Sequence, residues 1–233
     1  AIWESEYVSN IYIKKVKPNG YTKYQQGRFI RRSSDNAFVY CLQPYTAIDN
    51  NLPYYDVIRE DYEKVLGFTK DQWERISLLA YYGYQYNENG VDHSSNIWYV
   101  VTQVMIWRAT NPESNIYFTS TLNGSKTNKY DAYVQEIENL VANHYTKPSF
   151  ESNITTSVGS TITLNDNNNV LSNFKITGTS DNISTSISGN TLSITANNVG
   201  EGIITLEKKA TKYEIPPIVY FSDHSQNVMR VGS

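Results

Sequence analysis

Two residues in this sequence sit oddly in their surroundings and could react with each other. Cys41 is the single cysteine of 233 residues. It lies in "AFVYCLQP", a nearly continuous apolar run that reads as a short strand ended by Pro44. Gln103 lies in "WYVVTQVMIWRAT", Trp98 to Thr110, a helix apolar almost all the way round. One cysteine makes no internal disulfide, and free cysteines commonly pack as small inert hydrophobes. A buried amide is costly unless both of its ends are hydrogen-bonded. Taken singly, Cys41 reads as a core thiol and Gln103 as a structural amide bonding a loop. Taken together they have a chemistry. A thiolate can attack a carboxamide carbon and expel ammonia, leaving a thioester between the side chains. Water would slowly hydrolyse such a bond, but packing among Tyr40, Trp98 and Trp107 would keep it dry. Closing the crosslink also removes the amide donor, and with it part of the cost of burying Gln103. Gln43, in "CLQP", is a poorer partner. It shares a strand face with Cys41, yet so small a ring would strain the backbone.

The elements that must position this pair fall into three textures. From Tyr7 to Leu42, "YVSNIYIKKV" and "RFIRR" alternate apolar with polar residues, and "KPNG" suits a hairpin turn. Cys41 follows near a strand end, where reactive groups are commonly presented. Between Asp61 and Tyr145 the period becomes helical. Thr69 with Gln72 forms a capping box, and Phe68 with Trp73 a hydrophobic staple, for a helix that buries Trp73, Ile76, Leu79, Ala80 and Gly83. Asp92 or Ser94 is placed to cap the helix carrying Gln103. On that helix Tyr99, Val100, Ile106 and Trp107 share the face of Gln103. A third helix is predicted in "TNKYDAYVQEIENLVANHY". From Lys147 short alternating strands ("NITTSV", "TITL", "FKIT", "ISTSISGNTLSITA", "GIITLEKK") mark a small β-module. The expected fold is α+β: a β-sandwich or barrel with an inserted three-helix region, followed by a small Ig-like β-sandwich. The domains are 1–148, completed by a last strand over 215–233, and 149–214.

"YCL" and "TQVMIW" resemble the paired signatures of the thioester domains of Gram-positive bacterial surface adhesins. Tyr40, Cys41 and Leu42 match the first motif. Thr102, Gln103, Ile106 and Trp107 match every fixed position of the second. The likeness runs to about Tyr145 and returns in "SDHSQNVMRVG", similar to the family's closing Ser-Gln-Asn segment. The resemblance implies an internal thioester attacked by a nucleophile of a host surface or matrix protein, typically a lysine amine. Gln103 is then the acyl donor and Cys41 the leaving group, in a single-turnover acyl transfer rather than enzymic turnover. It implies a monomeric domain of a secreted, wall-anchored protein mediating attachment, with no cofactor. The family supplies no comparable motif for an oxyanion stabiliser or an amine-activating base. By chemistry alone Tyr82, Tyr84 and His93 are candidates.

Composition narrows the alternatives. A net charge of -3, without long runs of one sign, argues against a nucleic-acid partner or an electrostatic hold on a membrane. No apolar run reaches spanning length. His93, His144 and His224 lack ligand spacing, so no metal site is expected. "NDNNN", Asn165 to Asn169, lacks the glycine and final glutamate of a calcium loop and reads as a turn. A Cys-dependent protease or transamidase using Cys41 lacks any local signature. A non-covalent carbohydrate- or protein-binding module would use the tyrosine-rich surface and make the motif pair incidental.

Overall fold

The computed structural model describes residues 3–48, 55–57, 66–211, 213, 218–221 and 227–230. The chain divides into two compact units, one of Ala1–Val141 with Lys212–Ser233 and one of Ala142–Thr211. The fold is α+β, as the sequence textures predict.

In the first unit β1 (Trp3–Val16) and β2 (Thr22–Arg32) form a long antiparallel hairpin. Its turn is closed by the Lys17 amide on the Tyr21 carbonyl at 2.8 Å, with Gly20 at φ +90°. The register shifts between Tyr7 and Tyr12, where Asn10 adopts φ 63°. Asparagine tolerates that left-handed conformation better than most residues, and the bulge twists the ribbon. β5 (Asn115–Thr119) pairs on the other side of β1. A second sheet takes the order β3 (Tyr40–Cys41), β12 (Val228–Arg230), β11 (Ile218–Phe221), β4 (Tyr55–Val57). Cys41 therefore lies on an edge strand whose sheet neighbour comes from the far end of the chain. Of the segment likened to the family's closing motif, Asn227 is described. His224, Ser225 and Gln226 lie outside the described residues.

Helix α1 (Lys70–Tyr82) starts on the expected capping box, Thr69 Oγ1 accepting from the Gln72 amide at 3.1 Å. Phe68 stacks on Trp73 with centroids 6.4 Å apart. Helix α2 (Asn96–Thr110) buries every residue from Tyr99 to Trp107, which explains its apolar circumference. Its N-cap is Ser95, without a side-chain bond, and not Asp92 or Ser94. Asp92 instead accepts from the Ser94 amide at 3.0 Å, a local turn that competes with capping. Helix α3 (Asp131–Ala142) buries Ile137. No helix among the described residues is long and apolar enough to cross a membrane.

The second unit holds β6 (Thr161–Asn165), β7 (Phe174–Thr179), β8 (Ile183–Ser188), β9 (Thr191–Ala196) and β10 (Ile204–Lys208). They form two antiparallel sheets, β6-β9-β8 and β10-β7. Val170, Leu171, Phe174, Leu192 and Ala196 are its buried apolar residues. "NITTSV", expected as a strand, is irregular. All its residues are exposed, so its alternation has no face to bury. In "NDNNN" the buried Asp166 carboxylate accepts from the amides of Ser149 (2.7 Å), Asn168 (2.9 Å) and Val170 (2.8 Å). It ties the unit's entry to its first loop. Burial alone would raise this carboxyl, but the backbone donors bring it below the ordinary carboxylate range. Its contribution is complete above about pH 4 and is lost as pH falls through the depressed value. Asp166→Ala should orphan these donors and cost the second unit at least about 3 kcal/mol, measured as lost hydrogen-exchange protection confined to 142–211.

Candidate functional site

The backbone N–H and C=O of an edge strand face away from the sheet and need partners when buried. At β3 the inward side is met by β12, with the Leu42 amide donating to the Asn227 carbonyl at 2.8 Å. The outward side is met by Gln103. The Cys41 amide donates to Gln103 Oε1 at 2.7 Å, and Gln103 Nε2 donates to the Cys41 carbonyl at 2.9 Å. A side-chain amide thus takes the place of a neighbouring strand, and its two ends are fixed by what they face. Gln43, the poorer candidate, does something else: its Oε1 accepts from the Asn227 amide at 2.9 Å and holds the entry to β12.

Close approaches on both sides of Gln103 set the depth of α2. A Cβ at Gly83, just past α1, would stand 2.1 Å from Thr102 Oγ1. Gly83 is needed there for space. Thr102 Oγ1 accepts from the Tyr84 amide at 3.1 Å and donates to the Trp98 carbonyl at 2.7 Å, which gives the motif threonine its purpose. On the other side a Cβ at Gly27 of β2 would meet Val100 at 2.9 Å. Gln72 Nε2 donates to the Ala109 carbonyl at 3.2 Å, tying the start of α1 to the end of α2. Tyr99 stacks on Tyr40 at 5.2 Å and donates to the Val39 carbonyl at 2.5 Å, locking the helix to the strand that carries Cys41.

Cys41, Gln103 and Trp107 line one cavity of about 80 Å³, together with Lys15, Lys23, Arg28 and Val100. A water molecule's share of liquid volume is about 30 Å³, so the cavity takes the tip of an alkylamine and little more. Tyr40, Leu42, Thr102 and Ile106 are buried around the pair without lining the cavity. Trp98, Tyr82, Tyr84 and His93, expected beside the site, lie elsewhere. Trp98 is five residues before Gln103, hence on another face of the helix, where it stacks on His93 at 3.6 Å. The His93 ring is held by the Tyr82 and Gly83 carbonyls (2.9 and 2.8 Å) and by Glu136 at 2.8 Å, fastening α1 and α3. Tyr84 packs edge-on against Phe29, Phe38 and Tyr99, and Tyr82 against Tyr81.

Burial pushes the Cys41 thiol up to about 12, against the pull of Lys15 and Arg28. Burial also holds Lys15 down to about 7, with Lys23 and Arg28 adding to the effect and Cys41 opposing it. Sequence reasoning missed Lys15, although a signal was present. Ile11, Ile13 and Lys15 alternate along β1 and all three are buried on one face.

Comparison with known proteins bears on the family and the fold. Residues 38–146 match the thioester domain family. The whole chain is similar in structure to the thioester domain of the Staphylococcus aureus TIE protein. The TM-score is 0.59 at 19% identity, covering 99% of this chain and 91% of that one; at this identity the likeness is one of fold. A comparison with curated proteins finds no match.

Two outcomes follow for stability. Gln103→Ala leaves a buried N–H and C=O of Cys41 unpartnered, whereas Cys41→Ala keeps the edge closed. The first variant should be less stable than the second by about 2–4 kcal/mol in urea denaturation. The folded chain releases the Lys15 proton near pH 7 while the unfolded chain keeps it to about 10.5. Stability should therefore rise with pH above 7, by up to about 1.4 kcal/mol per unit. In a chain with a free thiol Cys41 opposes this above pH 9, its ordinary value, because only the unfolded state then ionises. Denaturation midpoints of Gln103→Ala with and without Lys15→Met, between pH 7 and 9, should show the rise only where Lys15 is present.

Proposed function

We propose that Cys41 and Gln103 close an internal thioester and that the domain uses it to bind covalently to a host surface or matrix protein. The Cys41 sulfur attacks the Gln103 carboxamide carbon, the C–Nε2 bond breaks, and the nitrogen leaves as ammonia with the thiol proton. Later a lysine amine of the target attacks the same carbon, an amide forms to Gln103, and the Cys41 thiol is released. Each molecule reacts once, so this is covalent binding and not turnover. The reading carries with it an adhesin's setting: a domain of a longer protein on a Gram-positive cell surface, acting as a monomer without cofactor.

The observation that carries the proposal is the 2.7 Å bond from the Cys41 amide to Gln103 Oε1. That oxygen is where negative charge develops when the carbon becomes tetrahedral, in both the closing and the opening step. A buried donor already on it supplies oxyanion stabilisation without reorganisation. The match of residues 38–146 to the thioester domain family supports the same chemistry. A cysteine hydrolase is less well supported. No histidine among the described residues lines the cavity to act as the base such an enzyme needs.

Intact mass measurement tests the proposal directly. Freshly purified protein should be lighter than its sequence mass by one ammonia, and Cys41→Ala and Gln103→Ala should each show the full mass of their sequences. Methylamine should add once to the wild type and to neither variant. A full sequence mass in protein never exposed to amines would sink the thioester.

A further inference from the structure

Lys15 is a buried charge that the reaction above leaves without a task. It is 1% exposed, and no other lysine or arginine is buried among the described residues. The walls of the cavity it shares with Cys41 and Gln103 carry Lys23 and Arg28 and, among the described residues, no carboxylate. A buried ammonium without a counter-ion is expensive to keep. From β2 it faces Lys23, its register partner, and Arg28. Ile116 stands opposite on β5, Cys41 on β3, and Tyr45 in the loop beyond. From α2 it faces the Trp107 ring, 4.4 Å from Nζ.

Its hydrogen bonds permit a change of charge. Nζ donates to the Pro44 carbonyl and to Gln25 Oε1, each at 2.5 Å. These use two N–H groups, which an amine and an ammonium both possess. The remaining position carries a proton in one form and a lone pair in the other. Lys15 can therefore gain or lose a proton without surrendering either contact that fixes it in the cavity.

We propose that Lys15 is the proton carrier of the acyl transfer, taking a proton from the incoming nitrogen and delivering it to the Cys41 sulfur. The inference rests on the thioester reading. As the nucleophile's N–C bond forms to Gln103, its nitrogen becomes positive and neutral Lys15 removes one proton. The C–S bond then breaks with its electron pair going to sulfur, and the Lys15 ammonium returns the proton there. Lys15 ends neutral, as it began. The thiol's high pKa makes this delivery useful, because a bare thiolate in the cavity would re-attack the new amide or reverse the step.

The test uses the thioester-bearing chain with methylamine as probe, its addition followed by intact mass between pH 6 and 9. Rates are expressed per free, unprotonated methylamine. The wild type should accelerate with pH and level off as Lys15 becomes neutral, near pH 7. Lys15→Met should keep the mass deficit, react about 100-fold more slowly and lose the inflection. Lys23→Met removes a positive neighbour and should move the inflection to higher pH, which a merely structural lysine would not do. A Lys15→Met chain with an intact thioester and the wild-type profile overturns the proposal. If Lys15→Met does not close its thioester, Lys23→Met decides, and an unmoved inflection overturns the proposal. A wild type one ammonia light with a titratable free thiol also overturns it, since Lys15 would then have acylated itself. A wild type of full mass refutes the thioester reading beneath it.

Discussion

An edge strand buried against a helix must find partners for its outward N–H and C=O, and here both are found in one side chain. The amide of Gln103 closes the edge at Cys41 with two hydrogen bonds. Much of the first unit serves that closure. Gly83 and Gly27 let α1 and β2 approach α2 on either side of Gln103, Thr102 completes the junction after α1, and Tyr99 pins the helix to the segment before Cys41. Each fixes the depth or rotation of α2, and a displacement of an ångström would break both bonds to Cys41. These residues around Gln103 are thus largely devices for placing one amide.

The same burial that makes this closure exact in position also makes the site electrically unusual. A thiol driven up and an amine driven down face one small cavity with two further cations and, among the described residues, no carboxylate in its wall. Both groups are pushed towards their neutral forms, and each favours the charge of the other. On the proposed reading a neutral thioester suits such a place better than the ions it would release. The stored bond is then stable because its environment penalises the products of breaking it without a proton carrier.

Much of the fold was legible in the sequence, because its signals are local. The period-2 runs of β1 and β2, the capping box of α1 and the apolar circumference of α2 each answer to contacts within a few residues. The pairing of Cys41 with Gln103 was legible as chemistry and as a resemblance. What surrounds the pair was not. Tyr82, Tyr84 and His93 were chosen for their functional groups, yet tertiary packing turns them to other aromatic clusters and helix junctions. The donor on Gln103 Oε1 is a backbone N–H, which no residue type announces. Lys15 was hidden because a lysine at the end of an alternating strand reads as a solvated end, whereas the loop from Pro44 covers it. Ser95 at the start of α2 shows the same limit on a smaller scale, since Asp92 found a nearer amide.

The strand order adds a matter of timing. β12, which completes the sheet around Cys41, follows the entire second unit in the chain. During synthesis Cys41 and Gln103 are made early, but the strand that pairs with Cys41 emerges only after the second unit, and such a distant contact forms late. A ribosome-bound fragment ending before β12 would therefore hold the thiol and the amide without the strand that pairs with Cys41. On the proposed reading the chain is unarmed while it is being made, and a truncated product stays so.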